Sequence, residues 1–448
     1  MKKILFHNKI SRSLSGIFLL LMLFANTLDL MAQDKKDFLS AKESEPSNFG
    51  WMADFPPSND KTISAKDGSY LHYPEIRWSV VNMRKLMPTA EVSTKLTSPQ
   101  AFSYALDENI DKLTFLPWKS KEKMTWKESL AKNYTDGMLI LHDGKIVYEN
   151  YFSAMDETKV HAVFSVTKSF VGTLAGILIA EGKLDETKTA SYYVPELKNS
   201  AFGDATVRQI LDMTTSVEYS EDYADPDAEV WEFSDAGNAL IKAKGDKEPV
   251  GYYAFLETVK KKGPHGKAFK YKTVNAQAAG WIITRATGKS IAELLSERIW
   301  SKIGMEQEAN LMVDAKGIPF SGGGLSAGLR DLARFGELMR NKGNWKGEQL
   351  FPKEVVETIM NGASKEDFAK SDHPGLKGWS YKNLWWITEN EDGAYAARGI
   401  YGQTIYIDPA AKMVIVRLAS YPVAANAAND ATSLPAYQAV ADYLMKKK

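Results

Sequence analysis

The chain contains no cysteine. That absence excludes disulfides, a lipid-modified N-terminal cysteine, thiol catalysis and thiolate metal sites together. Histidine is scarce, and His7, His72, His142, His161, His265 and His373 never stand four apart, so a helical zinc site is not encoded. An excess of charge is missing too. Lys+Arg and Asp+Glu balance at 56 each, which removes the global field that draws proteins to nucleic acid or anionic lipid. The run Gly322–Gly324 lacks both a preceding strand and the Gly-Lys-Ser/Thr of a phosphate loop, and reads as a tight turn. Nothing in the sequence calls for a metal or organic cofactor.

What is present is enough apolar sequence, 44% of 448 residues, to bury a large core in one big domain with elaborations. Residues 1–32 read as a secretory signal. Lys2, Lys3, Lys9 and Arg12 precede an apolar run from Leu14 to Ala25, and Ala32 offers a small residue for cleavage. Asn26 and Asp29 stop that run short of the roughly 20 apolar residues a spanning helix needs. The expectation is export to the periplasm or medium, with no stable membrane insertion once the signal is removed. Residues 33 to about 125 are Lys-, Ser- and Pro-rich and read as an extension packing on a main domain of residues 126–448.

In that main domain, Met138–Leu141 and Ile146–Tyr148 flank His142-Asp143-Gly144-Lys145, which predicts a β-hairpin. A helix is predicted from about Ser165 to Ala180, closed by Gly182; its interior is apolar nearly all round, as in helices buried within large proteins. Helical spacing recurs at Val207–Met213, Ala276–Thr287, Ile291–Trp300 and Leu329–Met339. The chain closes with strands at Thr404–Ile407 and Met413–Leu418 and a helix from about Leu434 to Met445. Strands at both ends with helices between predict an α/β (α+β) fold: an antiparallel sheet flanked by helices, with a second, mainly helical lobe at about residues 185–330.

The chemistry concentrates in Val163-Phe164-Ser165-Val166-Thr167-Lys168. Positions i and i+3 share a helix face, so Ser165 and Lys168 can meet. A serine hydroxyl needs a base, and a lysine serves as one where burial disfavours its charge. At a helix start, unpaired N–H groups can also face a developing oxyanion. Ser-x-x-Lys recurs at Ser58/Lys61 and Ser120/Lys123, but those copies lie in polar sequence, whereas the copy at Ser165 opens the apolar helix. A second element, Phe269-Lys270-Tyr271-Lys272-Thr273, places a tyrosine beside lysines, where it can relay a proton.

Together these segments resemble the penicillin-recognising serine hydrolases, in their class C β-lactamase-like branch, and most of all the 6-aminohexanoate-dimer hydrolases. Ser165 and Lys168 match the first motif of that family. Tyr271 and Thr273 match the second, with Gly280 nine residues beyond Tyr271. Ala397-Arg398-Gly399-Ile400 occupies the place of the Lys-Thr-Gly-like third. The resemblance, spanning roughly residues 70–448, implies catalysis by Ser165, Lys168 and Tyr271, and an oxyanion hole from the N–H groups of Ser165 and Ile400. It also implies substrate contacts at Tyr223, Thr273, Trp386 and Gly399, and a small ester or amide as substrate. Two departures stand out: Thr273 replaces the usual Asn or Ser, and Ala397 stands where the third-motif lysine falls. Strand alternation aims Arg398 at the opposite face, so a carboxylate-binding cation is missing and β-lactam hydrolysis is disfavoured. The expected function is cleavage of an ester or linear amide through an acyl-enzyme. The alternatives are a β-lactamase or D-alanyl peptidase, or a non-catalytic protein binding cell-wall peptides.

Overall fold

Alternating apolar residues build an eight-stranded sheet. In the computed structural model, which describes residues 38–240 and 249–447, the strands run in the order Ser380–Lys382, Trp385–Ile387, Tyr395–Gly399, Gln403–Asp408, Met413–Ala419, Thr135–His142, Lys145–Tyr151 and Ser103–Tyr104. All pairs are antiparallel except the last, which is parallel. Because successive side chains point to opposite faces, Leu139, Leu141, Val414 and Val416 enter one core with Phe170 and Phe335. Met138, Ile140, Met413 and Ile415 enter a second core with Trp126, Tyr437 and Val440. The helix Val166–Ala180 lies in the first core with 13 of its 15 residues buried, which explains why no face of it is polar.

The expected leader, residues 1–32, lies outside the described residues. From Ser40 onward the chain forms one compact unit. Its N-terminal part is woven in. Thr89–Val92 pairs with Ala309–Met312, which pairs with Leu325–Gly328, which pairs with Val160–Ala162. Ile76, Val80 and Met83 pack with Phe164 and Tyr401 in a third core. The strands at 309–312 and 325–328 fall in the stretch read as helix and loop, because their partners lie far away in sequence.

Two helices begin earlier than the sequence suggests. The C-terminal helix spans Asp430–Lys446 with Pro435 inside it. Proline cannot donate to the carbonyl four residues back, and the Trp118 N–H takes that carbonyl of Ala431 at 3.0 Å instead. The helix carrying the second element starts at Thr273, where a distant carboxylate receives its first N–H.

Candidate active site

The site begins at a turn between the strand Val160–Ala162 and the central helix. Phe164 adopts φ +44°, a left-handed conformation that is costly for a bulky residue and persists only where its surroundings enforce it. Its ring packs 5.3 Å from that of Tyr401, itself at φ +62°. Ser165 follows at the N-cap of the helix and lines a cavity of about 520 Å³. Ser-x-x-Lys occurs four times, at 58, 120, 129 and 165, and in the last alone are both the serine and the lysine buried.

One turn on, Lys168 is 1% exposed and its Nζ donates to Ser165 Oγ at 2.8 Å and to the Gly322 carbonyl at 2.6 Å. Burial pushes the amine down to about 8, against the opposing pull of the Glu221 carboxylate. A lysine in water is almost wholly protonated near neutrality; this one holds a usable neutral fraction. The Gly322 carbonyl reaches Lys168 from the loop after Ser321. That loop can press against the second helix because Gly280 is there: a Cβ at 280 would lie 2.0 Å from Ser321 Oγ.

Tyr271 closes the trio. It lines the same cavity as Ser165, and its ring lies 5.1 Å from Lys168 Nζ. Burial, reinforced by the Glu221 charge, pushes the phenol well above its ordinary value, so it stays protonated and can act as a donor. Trp386 stacks on Tyr271 at 5.3 Å and meets His373 at 5.0 Å. Burial first, then the Arg398 charge, lowers His373 to about 4, which keeps the imidazole neutral.

On the opposite wall, the strand ending at Gly399 lies against the nucleophile's backbone. A Cβ at 399 would stand 2.4 Å from the Val163 carbonyl and 3.1 Å from the Ser165 nitrogen. Only glycine permits that approach, and it carries the Ile400 backbone to the cavity beside Ser165. Ala397 is buried in the first core. Arg398 stands next to the end of its strand and lines the cavity, over Trp379 and Trp386. Its charge is already matched by a buried ion pair with Asp430.

Tyr223, Tyr271, Trp386 and Gly399 all line the cavity with Ser165. Thr273 is buried, and its N–H and hydroxyl both donate to Glu221. Tyr223 gives its hydroxyl to the same carboxylate at 2.7 Å. Sequence reasoning assigned no role to Glu221, to the Gly322 carbonyl, to His373 or to the Arg398–Asp430 pair. An acid two residues before Tyr223 was the one visible hint; the others depend on loops meeting in space. Among the described residues, no cluster of His, Asp and Glu is arranged to hold a metal ion.

Comparison with known proteins follows the same lines. The family model for beta-lactamase matches residues 128–438. The 6-aminohexanoate-dimer hydrolase of Paenarthrobacter ureafaciens is 34% identical over 357 residues, covering 79% of this chain and 88% of the relative. A solved structure from Bacillus anthracis, described as a 6-aminohexanoate-dimer hydrolase, is 36% identical with a TM-score of 0.78, over 86% of this chain and 99% of that one. A family VIII carboxylesterase at 16% identity shares the fold, with a TM-score of 0.55 over 76% of this chain and 99% of its own.

Proposed function

Because this chain belongs to the beta-lactamase family of serine hydrolases, we propose that it opens linear carboxylic amides or esters through an acyl-enzyme on Ser165. The observation that carries this reading is the 2.8 Å contact between a buried lysine and a serine that lines the cavity. Ser165 Oγ attacks the substrate carbonyl while neutral Lys168 takes its proton. The tetrahedral oxyanion rests on the Ser165 and Ile400 N–H groups. Tyr271, held as a phenol, gives its proton to the departing amine or alkoxide and regains one from Lys168. Water then enters, and the same groups in reverse release the acid.

The relative from Paenarthrobacter ureafaciens supports a short linear amide as substrate. A β-lactamase or peptidase reading is disfavoured by Ala397 and by Arg398, whose charge Asp430 already occupies. The test combines a fluorophosphonate probe, with Ser165→Ala as control, and assays on a p-nitrophenyl ester, a chromogenic cephalosporin and a linear 6-aminohexanoate dimer. Labelling lost in the control, with ester or linear-amide turnover exceeding cephalosporin turnover, is expected. Undiminished labelling of Ser165→Ala would sink the reading.

The basic, apolar and small-residue blocks of residues 1–32 support export with removal of that segment. Residues 33–125 would then begin the mature chain as an extension of the hydrolase body. N-terminal sequencing of protein from the periplasmic fraction should start after Ala32; cytoplasmic protein retaining Met1 would contradict export.

A further inference from the structure

One carboxylate joins Tyr223 and Thr273 without belonging to the reacting trio. Glu221 accepts the Tyr223 hydroxyl on Oε1 at 2.7 Å. It also accepts the Thr273 N–H on Oε2 and the Thr273 hydroxyl on Oε1. Thr273 is the first residue of the helix that follows Tyr271, so a single side chain joins the Tyr223 loop to the backbone two residues from the proton donor. A carboxylate at a helix N-terminus is electrostatically favoured, and three donors on its two oxygens fix it in one orientation.

Resting on the hydrolase reading above, we propose that Glu221 is a positioning residue: it clamps the Tyr223 loop to the Tyr271 helix and supplies the fixed negative charge in whose field Ser165, Lys168 and Tyr271 exchange a proton. The charged and titratable groups around that trio divide clearly. Glu221 is the carboxylate acting on Lys168. Tyr271 feels Glu221 and, in the opposite sense, Arg398, whose charge is matched by Asp430. Lys272 lies in the field of Glu221, Asp372 and Lys270, while His373 is held neutral and Tyr223 is held as a phenol. Without Glu221, little negative charge would oppose the desolvation of Lys168, and its proton would leave at lower pH. The same loss would make Tyr271 easier to ionise, so both changes move the active form in one direction.

Two substitutions separate charge from reach. Glu221→Gln keeps the shape, since its amide can accept from the Thr273 N–H and donate to a hydroxyl, but it removes the charge. Glu221→Asp keeps the charge and shortens the arm. The experiment is the pH profile of kcat/KM on a p-nitrophenyl ester, with thermal melts at each pH. Glu221→Gln should move the rising limb down by about half a pH unit or more. Glu221→Asp should leave that midpoint in place while kcat falls about tenfold or more with KM nearly unchanged. An unmoved limb in Glu221→Gln, or wild-type kcat in Glu221→Asp, overturns the proposal. Should Glu221→Gln fail to fold, the Glu221→Asp arm decides alone. Loss of wild-type esterase dependence on Ser165 would instead strike the underlying hydrolase reading, which the Ser165→Ala control reports separately.

Discussion

Phe164 and Tyr401 both hold left-handed backbone angles, and their rings lie 5.3 Å apart. One precedes the nucleophile and the other follows Ile400, so a single aromatic contact braces both sides of the expected oxyanion hole. Phe164→Ala removes that brace from a 7% exposed position. It should cost about 3 kcal/mol in a denaturant melt and slow fluorophosphonate labelling of Ser165 more than Phe164→Leu does.

Ser165→Ala and Lys168→Met should each reduce kcat at least about a thousandfold, since residues acting as a unit fail together. Combining them should cost little more than either alone. Steady-state kinetics on the ester, with circular dichroism to confirm folding, checks both the losses and their non-additivity.

The Lys168 amine, lowered to about 8, sets two pH dependences. If neutral Lys168 is the base, kcat/KM rises with pH through a midpoint near 8. Stability behaves in parallel. Between about 8 and the ordinary lysine value of 10.5, the unfolded chain binds the extra proton. Lys168 therefore contributes its full stability above 10.5 and loses it as pH falls through 8. Denaturant melts across that window should show a slope in the wild type that Lys168→Met lacks.

Gly399→Ala puts a methyl group against the backbone at Val163 and Ser165. Neither atom is the end of a flexible side chain, so the strand must retreat from the nucleophile. Displacing an oxyanion donor should lower kcat about a hundredfold, read against a modest fall in Tm. Ala397→Gly, deep in the first core, should lower Tm with much less effect on kcat.

Asp430→Ala leaves Arg398 as a buried charge without its partner. The expected loss is about 3 kcal/mol, and Arg398→Met in the same background should restore much of it. A double-mutant cycle by thermal melts measures the coupling.

Much of the fold was legible because it is written in local periodicity. The hairpin around Asp143-Gly144, the apolar helix after Ser165 and the closing strands each declare themselves within about fifteen residues, and the structure has them at or near the expected bounds. Where boundaries moved, a distant group was responsible: Glu221 for the helix at Thr273, Trp118 for the turn that admits Pro435.

The sequence by itself determined which groups could react, since a serine and a lysine three apart on a helix share a face whatever surrounds them. Tertiary structure alone decided how they behave. Burial against the Gly322 loop depresses Lys168, Gly399 brings a remote strand to the nucleophile, and Asp430 takes up the charge of Arg398. Helix spacing is a property of the backbone and travels with the chain. Desolvation and pairing depend on segments that are distant along the chain, 154 residues for Gly322 and Lys168 and 32 for Arg398 and Asp430, arriving at one cavity, and no stretch of sequence records that arrival.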